Sequence, residues 1–272
     1  MNEQITPKGI EWTRIYGRRG YTWNPIAGCF HACAWEMPDG KVANCYAEDT
    51  AERSIVSKLY PNGFTHDYWF QERLEEPLKV AKPSGIFVGS MADVFGHWVK
   101  EERIKLVLEV CRKASQHIFQ FLTKNPKRIL DYKNIIPNNC WMGASSPPDF
   151  MWNKRLSQQQ QEKMLHTTLQ TFGKFPIRLT AWLSAEPLSW DIVPILEQYP
   201  HFIKWIVIGA ASSGNRYFPP EETHVRRLVE FCSDLEIAVF FKGNLRSLKW
   251  ASDHWREEFP HEYRERPSET TG

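Results

Sequence analysis

The chain has 272 residues, with 34 Lys and Arg against 32 Asp and Glu for a formal net charge of +2, and 42% of it is hydrophobic. That length can bury a full core without disulfide staples, which excludes whole-chain disorder, and the near-neutral balance is unlike the strongly basic face of a dedicated DNA-coating protein. The longest uncharged apolar run, Trp205 to Ala211, falls far short of the roughly 18 residues a membrane helix needs, and the opening residues carry a Glu and no apolar signal stretch. A cytoplasmic protein with no membrane partner is expected.

In chain order, a β-rich run at Tyr21–Asn24 is followed by helical spacing over Ala47–Leu59 and Asp67–Val80. Further strands are expected at Ile86–Ser90, His117–Thr123, Trp141–Ser145, Arg178–Ala185, Trp205–Gly209 and Ala238–Lys242, and further helices at Glu101–Ser115, Ser157–Thr171 and Glu221–Leu235. Strand–helix alternation predicts an α/β fold around about six or seven parallel strands, most of them apolar throughout because both faces are covered. No repeat or linker divides the chain, so one domain is expected over 1–260, with a polar, disordered tail at 261–272. The polar stretch from Ser146 to Gln161 reads as a long loop, either a lid or a surface excursion.

Polar residues recur just past the strands' carboxyl ends, the rim where α/β folds bind ligands. They are Ser90 with Asp93, Thr123-Lys124-Asn125, Ser145-Ser146, Glu186, Ser212 to Arg216, and Lys242-Gly243-Asn244. Asp93 is placed either to accept from a ligand ammonium or to cap the next helix. Lys124 and Lys242 suit a carboxylate or phosphate, with Glu186 as the alternative, structural partner. Ser212, Ser213, Gly214 and Asn215 suit a backbone nest for an anionic or ribose group, or a plain surface turn. Trp12, Tyr16, Tyr21 and Trp23 lie beside Arg14, Arg18 and Arg19. Aromatics interleaved with arginine can grip unpaired bases, although most aromatics in a large α/β fold are core.

The six cysteines divide by placement. Cys111, Cys140 and Cys232 sit singly in apolar stretches, whereas Cys29, Cys33 and Cys45 lie together after the first strand. Three thiolates at one place suit zinc, with His31 as the nearby fourth donor, or an iron–sulfur cluster with one iron left open.

The order Trp23-Asn-Pro, Gly28-Cys29, Cys33, Cys45-Tyr46-Ala-Glu48, Phe87-Val-Gly-Ser90-Met-Ala-Asp93, Phe121-Leu-Thr-Lys124-Asn-Pro126, Trp141-Met-Gly143, Leu183-Ser-Ala-Glu186-Pro-Leu188, Trp205-Ile-Val-Ile-Gly209 and Phe240-Phe-Lys242 resembles the phage-associated three-cysteine proteins, which are similar to radical S-adenosylmethionine (SAM) enzymes. The resemblance implies a partial (β/α) barrel in which Cys29, Cys33 and Cys45 carry a [4Fe–4S] cluster. It implies SAM as second cofactor, bordered by Tyr46, Ser90, Asp93, Ser145, Ser212 and Asn215, and reductive SAM cleavage that starts radical chemistry on an unknown substrate, a nucleotide or nucleic acid among the candidates. Lys242, Glu186 and Lys124 are then the catalytic candidates, and an electron donor and a partner protein encoded alongside are implied. The alternative is a catalytically silent zinc- or cluster-binding module acting through a partner protein or nucleic acid. Two departures stand out. The usual spacing C-x3-C-x2-C becomes C-x3-C-x11-C, which an inserted hairpin over Trp35–Lys41 with its Pro-Asp-Gly turn would accommodate. Relatives read Gly-Gly-Glu-Ser-Gly where this chain reads Gly209-Ala-Ala-Ser-Ser-Gly214, so the glutamate is missing at Ala211.

Overall fold

The computed structural model describes residues 1–5, 9–36, 40–213 and 216–260, with only the backbone of 212, 213 and 216–218. The expected tail at 261–272 and the rim residue Asn215 lie outside the described residues, and so does the side chain of Ser212.

Eight strands form one mixed sheet, mostly parallel and curled into a half-barrel: β1 Asn2–Glu3, β2 Arg19–Trp23, β3 Ser84–Val88, β4 Ile118–Thr123, β5 Cys140–Ser145, β6 Thr180–Ala185, β7 Trp205–Ile208 and β8 Ala238–Phe241. They are hydrogen-bonded in chain order. Strands β2 to β8 run parallel, and β1 adds an antiparallel edge on β2 that raises the strand count above the expected six or seven. Each of the seven expected strands is present to within about two residues.

Alternation along the strands separates two faces. The outer face carries Ile86, Val88, Phe119, Phe121, Met142, Leu183, Ile206, Ile208, Val239 and Phe241, packed under α2 Glu101–Lys113, α3 Gln158–Phe172 and α4 Glu222–Asp234. The inner face carries Phe87, Trp141, Trp182, Trp205 and Phe240. Register places Gln120 beside Trp141, Gly143 beside Trp182, and Trp182 beside Trp205. A Cβ on Gly143 would lie 2.2 Å from the Trp182 ring, so glycine is what admits that ring.

The open side of the half-barrel is filled by segments that flank the parallel strands in sequence. A short turn, Glu11–Thr13, inserts Trp12 against Phe87, Trp182 and Trp205 at ring distances of 4.7, 5.3 and 6.1 Å. After β8, Phe259 packs on Trp205 and Phe240, and Tyr16 lies against Phe259 with its hydroxyl on the Pro260 carbonyl. For two of its four aromatics, Trp12 and Trp23, the structure corrects the base-stacking expectation, while Tyr16 stays exposed beside Arg18. Trp12 is 2% exposed and Trp23 fully buried, because both are core rings and not a platform beside the arginines.

One expected helix is shorter and one is absent. Over Ala47–Leu59 only α1, Tyr46–Ala51, is α-helical, and the serine and β-branched residues after it form a turn and a 3-10 segment at Ser57–Leu59. Over Asp67–Val80, Tyr68 and Trp69 instead pair with Ala27 and Ile26, and two 3-10 turns follow, the second containing Pro77. Among the described residues no helix is long and apolar enough to cross a membrane.

Candidate functional site at the mouth of the half-barrel

The inner-face parity that builds the tryptophan floor continues past the strand ends. It brings Asn24, Gly89, Lys124, Ser145, Glu186, Gly209 and Lys242 to one mouth. The three clustered cysteines hang over the half of that mouth belonging to β2–β5, where Cys29, Cys33, Cys45, Tyr46, Ser90, Asp93, Lys124 and Ser145 line one cavity of about 90 Å³.

The long gap before Cys45 is a hairpin. Ala34–Glu36 pairs antiparallel with Val42–Asn44 in the register Ala34↔Asn44, Trp35↔Ala43 and Glu36↔Val42, and the turn tip at 37–39 lies outside the described residues. The insertion therefore leaves and returns at one point, with Cys33 and Cys45 at its open end. Cys29 is held from the opposite wall. Its N–H donates to the Phe64 carbonyl at 3.1 Å, and that of Gly28 to Met91 at 2.8 Å. Gly28 has φ +86°, and a Cβ there would lie 1.7 Å from the His66 carbonyl oxygen.

Asp93 ties this cysteine loop to the strand ends. Its carboxylate contacts His31 Nε2 at 2.7 Å and accepts from the backbone N–H of Lys124 at 2.9 Å and of Phe95 at 3.0 Å. Burial alone would raise the Asp93 pKa, but the bonds to His31, Thr123 and Lys124 outweigh it and hold the carboxyl below its ordinary range. His31, the candidate zinc donor, thus spends Nε2 on Asp93, and its Nδ1 is buried without a partner. Asp93 does not cap the next helix, whose N-cap is Lys100 with no side-chain bond; its carboxylate caps the turn in its own loop instead.

Lys124 is the cation of the cavity. Its Nζ donates to Ser145 Oγ at 3.2 Å and lies 6.0 Å from the centre of the Trp35 ring. Burial would lower its pKa, but Cys33, Cys45, Cys29 and Asp93 hold the ammonium above the ordinary lysine value. Burial pushes the Cys33 thiol up to about 11 against the pull of Lys124, and burial with the Asp93 charge pushes Cys29 further up. As apo groups these thiols are protonated near neutrality. A bound metal would have to displace their protons. Among the described residues, no three His, Cys, Asp or Glu side chains form a group able to hold a metal ion.

Across the mouth, Lys242 Nζ pairs with Glu186 Oε2 at 2.8 Å, and Ser184 Oγ donates to Glu186 Oε1 at 3.0 Å. Burial lowers the Lys242 pKa, but Glu186 and Glu11 outweigh it. Glu186 is therefore the partner of Lys242 and not of Lys124. Gly209 makes the room, since a Cβ there would sit 2.9 Å from Lys242 Cδ and 3.3 Å from Glu186 Cγ.

The stretch from Ser146 to Gln161 is neither free loop nor plain excursion. Phe150–Met151 and Lys154–Arg155 form a second hairpin that extends the cysteine hairpin into a four-stranded sheet. Asp149 Oδ2 accepts from the Glu36 N–H at 2.9 Å, the Trp152 N–H donates to the His31 carbonyl at 2.6 Å, and Arg155 pairs with Glu36. The strand Ala211–Ser213 packs on Val42–Asn44, with Ala211 against Ala43. A small side chain at 211 is what this contact uses.

Two functional positions escaped the sequence reading. Asn24 Oδ1 accepts from the Met91 N–H at 3.0 Å while its Nδ2 donates to Ser90 Oγ at 3.0 Å, and with the Tyr46 hydroxyl on the Ser90 carbonyl at 2.5 Å it fixes the loop after β3. Its place one residue past β2 is the signal that marked the other rim residues. Glu11 reaches the mouth from a turn outside the sheet, and no local pattern announces that.

A family model described as "Protein of unknown function (DUF5131)" matches residues 8–257. No curated protein matches. Among solved structures, Streptococcus suis SuiB is similar over 81% of this chain and 48% of its own, at 12% identity and a TM-score of 0.42. A second structure, Streptococcus suis SuiB bound to S-adenosylmethionine, is similar over 84% and 52%, also at 12% and 0.42. The chain spans about half the length of these proteins.

Proposed function

The chain belongs to that family of unknown function, and on the geometry of the mouth we propose that Cys29, Cys33 and Cys45 hold a [4Fe–4S] cluster beside a SAM site. The observation that carries this reading is three thiols from two walls lining one cavity with a single buried ammonium, Lys124, among them. By donor type the set suits the group, three soft ligands serving three irons and leaving the fourth without a protein ligand, although among the described residues the three side chains are not gathered as a metal-holding group. When bound, the group supplies one electron for reductive cleavage of the SAM sulfonium bond.

The protein's part is electrostatic and geometric. Lys124 offsets the negative charge of the three thiolates in a place where water does not screen it. Asp93 positions Lys124 through the backbone and fixes the cysteine loop through His31. Tyr46, Ser90 and Ser145 border the space left for SAM. Glu186 and Lys242, held as a pair outside the cysteine cavity, face the substrate side. The tryptophan floor excludes water from below.

Anaerobic reconstitution with iron and sulfide tests this. About four irons per chain are expected, together with 5′-deoxyadenosine released from SAM only with a reductant, and both are lost in Cys29→Ala, Cys33→Ala and Cys45→Ala. Tightly bound zinc with no SAM cleavage would overturn the reading.

A further inference from the structure

The hairpin between the second and third cysteines has a property of its own, independent of any metal. Its last observed pair is Ala34↔Asn44, and one further step along both strands places Cys33 opposite Cys45. Side chains alternate across such a ladder, so Cys33, Trp35, Ala43 and Cys45 share a face. That face is the inner one: Trp35 lies over Lys124, Ala43 packs on Ala211, and both cysteines line the cavity. Directly opposed residues in an antiparallel pair have Cα atoms about 4.5–5.5 Å apart, inside the roughly 4.4–6.8 Å range that a disulfide spans.

We infer that Cys33 and Cys45, when they hold no metal, close into a reversible disulfide that staples the hairpin base and withdraws two of the three cavity thiols. Cys45 is the more exposed and Cys33 the more buried, which fixes the order of events with a small disulfide such as oxidised glutathione as oxidant. Cys45 attacks, one glutathione thiol leaves, and a mixed disulfide forms; Cys33 then attacks the Cys45 sulfur and releases the second. Two protein thiols lose two protons and two electrons, and one glutathione disulfide becomes two glutathione thiols.

Other pairings fit less well. Cys29 hangs from the opposite wall through its bond to Phe64. Cys111, on the buried face of α2, and Cys140, at the start of β5, touch each other, but both are fully buried, where an oxidant has no path.

The pairing rests on register alone, and only its consequence for metal loading rests on the proposed function. The test uses full-length protein prepared without metal, incubated anaerobically with oxidised glutathione, then unfolded, alkylated and digested with trypsin without reductant. Free thiols are expected to fall from six to four, with peptide 20–41 linked to peptide 42–53, and dithiothreitol restores all six. The link persists in Cys29→Ser and vanishes in Cys33→Ser. Six free thiols throughout, a link that needs Cys29, or a link only between Cys111 and Cys140 overturns the inference. In a second arm the oxidised protein takes up at least tenfold less iron than the reduced protein, and equal uptake overturns the lock. If the reduced protein takes up no iron while the linked peptides appear, the disulfide stands and the cluster reading falls.

Discussion

At Gly143 a methyl group would press into the Trp182 ring, and that ring has tryptophan neighbours in place of free space. Gly143→Ala is therefore expected to cost about 2–3 kcal/mol by overpacking, read as a lower denaturant midpoint at unchanged slope. Asp93 gives a pH dependence. Folded, its carboxyl binds a proton less readily than at its ordinary value of 3.8, so it adds stability that is full above that value and is lost as pH falls through the lower, folded pKa. Asp93→Asn should flatten the acid limb of an unfolding curve and lower stability at pH 7; an unchanged acid limb would show that Asp93 is not held in this way. Residue by residue, the strand-end rule found Lys124, Ser145, Glu186 and Lys242 because parity and position are local. Which lysine meets Glu186 was not legible, since it depends on the curl of the sheet and on Gly209. For Trp12 the sequence left core and stacking roles open, because burial by a turn leaves no periodic trace, and the structure makes it core.

The cysteine hairpin is the element on which the mouth depends, and its partner is the stretch once open to reading as a lid. Asp149 holds the two together through the Glu36 N–H and the side chain of Gln161. Asp149→Ala should raise the hydrogen-exchange rate of the Glu36 amide by about tenfold, the equivalent of roughly 1.4 kcal/mol, without changing exchange in β6 or β7. Uniform exchange across the chain would contradict a local docking role. At the start of α3, Ser157 and Gln160 form a reciprocal capping box, and Ser157→Ala should lower stability by about 1 kcal/mol. Strands were more legible than helices here for a physical reason. The parallel strands are apolar runs of four to six residues that nothing else explains, whereas Asp67–Val80 shows helical spacing and then spends Tyr68 and Trp69 on a small ladder with Ala27 and Ile26. The hairpin was foreseen from Pro-Asp-Gly and the displaced Cys45, but its sheet with Phe150–Met151 joins segments more than a hundred residues apart.

On the scale of the molecule, helices cover the outer face, tryptophans fill the inner one, and polar residues collect where the tryptophans stop. The strand order follows the chain order, which is why so much of the architecture could be read from alternation. The closing of the open side could not, because it joins residues that precede the parallel strands to residues that follow them. Phe259 joins Tyr16 to Trp205 and Phe240, and Phe259→Ala should cost about 2 kcal/mol and make the intrinsic tryptophan fluorescence easier to quench. The same arrangement sets a timetable for synthesis. Trp12 precedes all seven parallel strands in the chain and Phe259 follows them, yet they seal one interior with Trp205 between them. A ribosome that has delivered seven strands still holds a chain whose aromatic interior is open. The long-range closure that follows is the slow, aggregation-exposed kind of step, so nascent-chain chaperones are expected to dwell on this protein until residue 260 has cleared the exit tunnel.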